Sequence, residues 1–189
     1  MLTFNFTPFP VLQTNRLLLS QVTVDDIQEV FLLRSDPVVM KYIGKKPAEK
    51  LEEAAEFINI ILSAEVENLS ITWAISLKGG EKMIGTICLW NLQPENHRGE
   101  IGYVLMPEYH GQSIMSETIA AVLEYGFNVM NLHSIEGHVN PNNIGSAKVL
   151  EKNYFTREAL LRENQHYNGV FYDTAIYTLF KRDREPLVK

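Results

Sequence analysis

The sequence predicts an α/β (α+β) fold, a mixed central β-sheet with helices on both of its faces. Three observations carry this expectation. Short apolar runs of strand length alternate with longer segments of helical period, yet without a strict βαβ rhythm. A hairpin in mid-chain, TWAISL and MIGTICLWNL joined by KGGEK, excludes an all-parallel sheet. Two later strands run directly into capped helices, at EIGYVLMPEYHGQSIMSE and VNPNNIGSAKVLEKNYF.

The elements follow in order. Arg16 to Gln21 reads as a strand, and Thr23 with Asp26 forms a capping-box start for a helix running to about Arg34. SDPVV breaks that helix, and Tyr42 to Pro47 reads as a loop. From Glu49 to Glu67 apolar residues recur at Leu51, Ala54, Ala55, Ile58, Ile61, Leu62 and Val66, which predicts a second helix. The hairpin begins at Ile71; after the loop QPENHRG, a third strand of the meander runs from Glu100 to Met106. A helix from about Ser113 to Met130, a strand over Ser134 to Val139 and a helix over Asn143 to Asn153 come next. Strands near Thr156 to Arg162 and Phe171 to Phe180 close the chain around the turn signal YNG. No internal repeat or low-complexity linker interrupts the order, so one domain over 1–189 is expected.

Composition narrows the function. A domain of 189 residues buries about 70 per cent of the surface of its unfolded chain and needs no disulfide staple. The single Cys88, in the apolar run TICLW, reads as a buried structural thiol rather than a nucleophile, and fits a reducing compartment. Acidic residues outnumber basic ones 23 to 17, for a net charge of −6, which argues against a nucleic-acid partner and suits an amine-bearing one. The N-terminal MLTFNFTPFPV lacks the pattern of a signal peptide, and no later segment has the length and apolarity of a membrane span. A cytoplasmic protein without a membrane partner is expected.

The segment Glu100 to Glu117 carries the first chemical signal: a strand, a proline stop, a glycine turn, then a helix. The first turn of a helix presents unpaired N–H groups at the positive end of its dipole, a natural seat for phosphate or pyrophosphate. A second strand-to-helix junction at Val139 to Ser146 lies one helix further on, so the two junctions bracket a crevice. Together with LQTNRLLL, MIGTICL, GEIGYVL and LRENQHYNGVFYDTAIYTL, these segments resemble the GNAT superfamily of acetyl-CoA-dependent N-acetyltransferases. Within it they are similar to the ribosomal-protein alanine acetyltransferases.

That resemblance implies acetyl-CoA as co-substrate, splaying the strands Glu100 to Met106 and Ser134 to Val139. Its amide-rich arm would pair with Tyr103, Val104 and Leu105, and its pyrophosphate would lie along His110, Gly111, Gln112, Ser113, Ile114, Met115 and Ser116. Asn143 would face the cofactor arm and Ser146 the sulfur, although an asparagine at this position also serves simply as a helix cap. The chain departs from the family pattern in the pyrophosphate loop, where His110, Ser113 and Met115 hold the positions of Gln or Arg, Gly, and Gly or Ala, at Tyr154, a glycine position, and at Leu150, where many relatives carry an acid tyrosine. Glu100 is the candidate general base, with a surface carboxylate beside Arg98 as the alternative. The backbone N–H near Val104 or Leu105 would polarise the thioester carbonyl. Gln165 can orient an acceptor but not deprotonate it, and the acceptor walls are expected at the Ser35 to Lys50 loop and the Glu163 to Val170 turn.

The expected reaction is transfer of acetyl to a primary amine, including a protein N-terminus, by direct attack in a ternary complex. The alternative is a non-catalytic acyl-CoA-binding or regulatory module of the same fold, motivated by Ser113, Leu150 and Gln165. No metal is expected, because the five histidines form no ligand cluster; His133 and His138 in particular sit five apart along a strand, on opposite faces. No P-loop or dinucleotide fingerprint is present. Tyr167, Phe171, Tyr172 and Tyr177 alternate in part at strand spacing and are assigned to the sheet core.

Overall fold

The computed structural model describes residues 1–80 and 82–184. Eight strands form one sheet in the order β1-β2-β3-β4-β5-β6-β8-β7. They are β1 (Leu12–Gln13), β2 (Leu17–Gln21), β3 (Ile71–Leu77), β4 (Met83–Gln93), β5 (Arg98–Leu105), β6 (Ser134–Val139), β7 (Thr156–Tyr167) and β8 (Val170–Phe180). Every neighbouring pair is antiparallel except β5 with β6. The helices are α1 (Ile27–Ser35), α2 (Pro37–Met40), α3 (Leu51–Val66), α4 (Ile114–Asn128), α5 (Ile144–Lys152) and α6 (Lys181–Arg184).

The alternation of side chains along β2 to β5 divides the apolar residues between two faces. Leu17, Leu19, Ile71, Trp73, Ile87, Leu89 and Ile101 pack with Ile119, Val122, Leu123 and Phe127 of α4 and Leu150 of α5. On the other face Val22, Ala74 and Met83 pack with Val30 and Leu33 of α1 and Ala54, Ile58 and Ile61 of α3. The predicted mixed sheet with helices on both faces is therefore what the chain forms.

Local departures have local causes. The capping box at Thr23 and Asp26 is present, opening a short 3-10 turn that leads into α1. SDPVV ends α1 as expected but also starts α2: the Asp36 carboxylate accepts from the amides of Val38 and Val39, and Pro37 takes the first helical position. The last two strands are longer than predicted and meet at Tyr167 to Val170. Most of β7 is exposed, so no apolar alternation marks its length. Of the four aromatic residues assigned to the core, Tyr177 is buried, but Phe171 is 61% exposed and lies tilted against His166, ring centroids 4.7 Å apart.

Candidate active site

The site exists because β5 and β6 part company. They pair at Arg98 with Ser134, Gly99 with Ile135 and Glu100 with Glu136, and then diverge. Beyond Glu100, β5 keeps only β4, with Tyr103, Val104 and Leu105 opposite Ile87, Thr86 and Gly85. Leu150 fills the base of the gap: a Cβ on Gly137 would stand 2.9 Å from its Cδ1 and 3.6 Å from Ile101 Cγ2. The site where the resemblance expects a tyrosine is thus an apolar plug.

Amide direction alternates along a strand. Met106 donates to Ile84 O at 2.9 Å, toward β4, so Val104 points its backbone the same way. Tyr103 and Leu105 turn theirs into the gap. Val104, expected as a backbone contact, lines the cleft but turns its amide toward β4. His110 Nε2 lies 2.9 Å from Leu105 O, which makes that ring nitrogen the protonated one and holds the following turn against the strand.

One arm of the cleft, about 580 Å³, runs from this edge to the start of α4. There Gly111 has φ +74° and open space where a Cβ would be. Ser113, the residue before α4, also lies in the left-handed region at φ +60°, which explains why glycine suits this position better. Its hydroxyl does not cap the helix; it accepts from Lys152 Nζ at 3.0 Å. Ile114, Met115 and Ser116 occupy the first turn, where amides have no acceptor inside the helix. His110, Gly111, Ser113, Ile114, Met115 and Ser116 all line this arm, but Gln112 does not. Its side chain turns back to donate to Glu108 O at 2.8 Å.

Lys41, Lys148 and Lys152 also line this arm and give an acidic protein a locally cationic trough. Lys148 and Lys152 sit one turn apart on α5, a spacing that was legible in AKVLEK. The loop is anchored from behind: Glu117 binds Arg16 and Thr14, and Arg16 Nη1 donates to Gln112 O at 3.2 Å.

The other arm, about 440 Å³, lies between the sheet and α1, α2 and α3. Glu100 stands at its floor, 8% exposed. It does not pair with Arg98, which binds Glu136 Oε1 at 3.0 Å and Gln93 Oε1 at 2.9 Å. Its neighbours are Asn91 Nδ2 at 3.4 Å and His138 Nδ1 at 3.8 Å. Burial raises the Glu100 carboxyl above the usual carboxylate range, against the opposing pull of His138 and Asn91; Glu136 adds a smaller push upward. Asn91 reaches this position through an irregularity in β4 between Trp90 and Gln93, with φ +46°. His138 follows from register, since Glu100 pairs with Glu136 and His138 projects two residues on to the same face.

Tyr103, Val104, Asn143 and Ser146 line both arms and mark their junction. Asn143 caps α5 by accepting from the Ser146 amide at 3.1 Å, so the helix-cap alternative is realised at a residue that also faces the cleft. Ser146 Oγ lies 2.8 Å from the Tyr103 hydroxyl. Burial pushes that phenol up to about 12, keeping it protonated. Sequence reasoning assigned Tyr103 only its backbone and missed this contact, because its two partners are 43 residues apart. Cys88 also borders the arm that holds Glu100, and burial raises its thiol to about 12, which suits the structural role.

The Ser35 to Lys50 segment contributes Met40, Tyr42, Ile43 and Lys45 to this arm, as expected. The Glu163 to Val170 turn does not line it, and Gln165 is exposed on β7 opposite Tyr172. Tyr167 of that turn is near enough to Lys46, on the Ser35 to Lys50 segment, to act on it through space. Among the described residues, no group of three or more His, Cys, Asp or Glu is placed to hold a metal ion, and no helix is long and apolar enough to cross a membrane.

Residues 16–156 match the family described as "Acetyltransferase (GNAT) domain". The chain belongs to the GNAT acetyltransferases. It is 35% identical over 173 residues to the Bacillus subtilis protein named "Uncharacterized N-acetyltransferase YoaA", spanning 92% of this chain and 98% of that one. A GNAT-family acetyltransferase from Bacillus anthracis has a TM-score of 0.83 at 28% identity, over 92% of this chain and 99% of its own. The spermidine N-acetyltransferase of Vibrio cholerae, solved with CoA and spermine, shares the fold with a TM-score of 0.78 at 23% identity, over 90% and 98% of the two chains. The protein is accordingly an acyltransferase of the N-acetyltransferase type, and its open mixed sheet is the GNAT fold.

Proposed function

We propose that this GNAT protein transfers acetyl from acetyl-CoA to a primary amine that enters beside Glu100, by direct attack with no covalent enzyme intermediate. The observation that carries the proposal is the open edge of β5, which begins where pairing with β6 stops and where the buried Glu100 stands. The residues present fit acetyl-CoA: a one-sided strand edge for an amide-bearing arm, an open glycine turn with a helix start for a pyrophosphate, and lysines around it. Acetyl-CoA supplies the thioester; the chain supplies the rest.

Glu100, directly or through one water, takes the proton that the amine loses, and its raised carboxyl pKa makes it a stronger base near neutrality than an exposed glutamate. The Leu105 amide, turned into the gap, is the better placed donor for the carbonyl oxygen as it gains charge. Ser146 donates its hydroxyl proton toward the sulfur as the carbon–sulfur bond breaks, while the Tyr103 phenol donates to Ser146 Oγ. With Leu150 apolar, this pair takes the part of the missing tyrosine. A protein N-terminal α-amine is one acceptor of the right chemistry. The test is thioester turnover with a panel of primary amines: acetylation of any of them supports the proposal, and acetyl-CoA binding without turnover supports the non-catalytic module instead.

A further inference from the structure

Arg34 is a half-buried cation stacked on an aromatic ring. It sits in the last turn of α1 and lines the acceptor arm together with Glu100. Its guanidinium carbon lies 3.9 Å from the centroid of the Phe57 ring on α3, so the plane is held by an aromatic surface. Among the described residues it has neither an ion pair nor a side-chain hydrogen bond, although it carries five donors. The nearby carbonyls are taken: Leu32 O accepts from the Asp36 amide, Phe31 O from Ser35 Oγ, and Arg34 O from the Ala48 amide. Glu53 is close enough to act on it through space but lies outside ion-pair distance and is bound to the Glu49 amide. Burial lowers the guanidinium pKa from its usual value, an effect that Glu53 only partly offsets.

The charge around the arm points the same way. Arg34 and Lys45 line it, and among the described lining residues Glu100 is the only carboxylate. A polyamine would bring several positive charges to one negative group and two positive ones. A molecule with an amine at one end and a carboxylate at the other would satisfy both ends, its apolar part lying against Met40, Ile43 and Trp90.

We propose that Arg34 is the anion seat of the acceptor pocket, so that the amine acetylated by this protein also carries a carboxylate. The inference rests on the acetyltransferase reading above, and names the class of acceptor for that same site. A peptide N-terminus followed by an acidic residue has this form, its two groups several bonds apart; a free α-amino acid, with both groups on one carbon, is the compact member of the class.

The full chain is assayed with acetyl-CoA and three matched sets: L-methionine and L-phenylalanine against their methyl esters, the peptide amide Ala-Asp-Ala against Ala-Asn-Ala, and spermidine. The expected result is a kcat/KM roughly 10-fold or more higher for the acid member of at least one pair, with spermidine the poorest. The pair that discriminates identifies the source. Arg34→Gln should erase the preference through KM while acetyl-CoA affinity, measured by calorimetry, is retained; Arg34→Lys should keep part of it. Equal rates within all three pairs, spermidine as the best substrate, or an unaltered preference in Arg34→Gln overturns the anion seat while leaving acetyl transfer intact. Should no amine be acetylated, the acetyltransferase reading fails separately. The seat is then judged by calorimetry on the CoA-loaded protein: N-acetyl-L-methionine binding more tightly than its methyl ester, with that difference lost in Arg34→Gln, supports it, and indifference between the two overturns it.

Discussion

The two arms of the cleft are made of different material. The arm toward α4 is built from backbone: a bare strand edge, a left-handed glycine, and helix amides, with lysines added around them. The arm toward α1 and α3 is built from side chains, Arg34, Phe57, Glu100 and His138, brought in by four separate elements. An arm made of backbone is expected to tolerate changes of residue type that leave the backbone path alone, and an arm made of side chains to respond to single substitutions.

The largest effect is expected on the side-chain arm. Glu100→Gln should lower turnover roughly 10²- to 10⁴-fold with little change in acetyl-CoA affinity, and the loss should shrink at high pH, where more of the amine is already free. Near-normal turnover across the pH range would remove Glu100 as the base. Stability should move the other way. A carboxyl whose folded pKa is raised contributes stability below its unfolded pKa, near 4.3, and loses it as pH rises through the higher folded value. At neutral pH the ionised, buried Glu100 is therefore a cost, and Glu100→Gln should melt at the same temperature as the parent or higher. A lower Tm at pH 7 would contradict that account.

At the junction of the arms, Ser146→Ala should reduce kcat by roughly 10- to 100-fold, the worth of a hydrogen bond to a charged group. Tyr103→Phe should do less, because it acts through Ser146, and should add little to Ser146→Ala in the double variant. Fully additive losses would separate the two residues. On the backbone arm, Gly111→Val should weaken acetyl-CoA binding by about 1–3 kcal/mol while sparing kcat at saturation, since φ +74° disfavours a β-branched residue even where no atom obstructs its Cβ. Unchanged affinity by calorimetry would take the turn out of the site. The smallest effects are expected at the two non-glycine residues that stand at glycine positions. Ser113→Gly and Tyr154→Gly each relieve a left-handed backbone, at φ +60° and +68°, and should raise stability by up to about 1 kcal/mol. A clear loss of acetyl-CoA affinity in Ser113→Gly would instead assign its hydroxyl to the ligand.

This contrast also governs how much could be read in advance. Strand, turn and helix start at Glu100 to Glu117 are local signals, and they placed the backbone arm at its residues. Gln112 and Val104 were the exceptions, because the direction of one side chain and one amide depends on pairing with Glu108 O and β4. The side-chain arm depends on contacts between distant segments. Glu100 was visible as the first residue of a predicted strand, but its partners were not: Arg98 turned to Glu136, while Asn91 and His138 arrived through a strand irregularity and a parallel register. Arg34 read as an ordinary cation in the last turn of a helix. The Glu163 to Val170 turn does not line the arm, although its Tyr167 acts through space on Lys46 of the neighbouring loop; which residues of a hairpin tip reach a pocket depends on tertiary placement that no local signal carries.

The parting of β5 and β6 also bears on self-association. A strand edge with free amides ordinarily invites another polypeptide to add itself to the sheet. Here that edge lies in the interior of an eight-stranded sheet, beneath α5 and with Leu150 wedged at its root. An incoming β-strand carries a side chain on alternate faces at every residue, and one of those faces would meet Leu150 and α5. A slender chain of amides without side branches would not. The recess thus keeps a free strand edge within the fold and away from the sheet's outer edges.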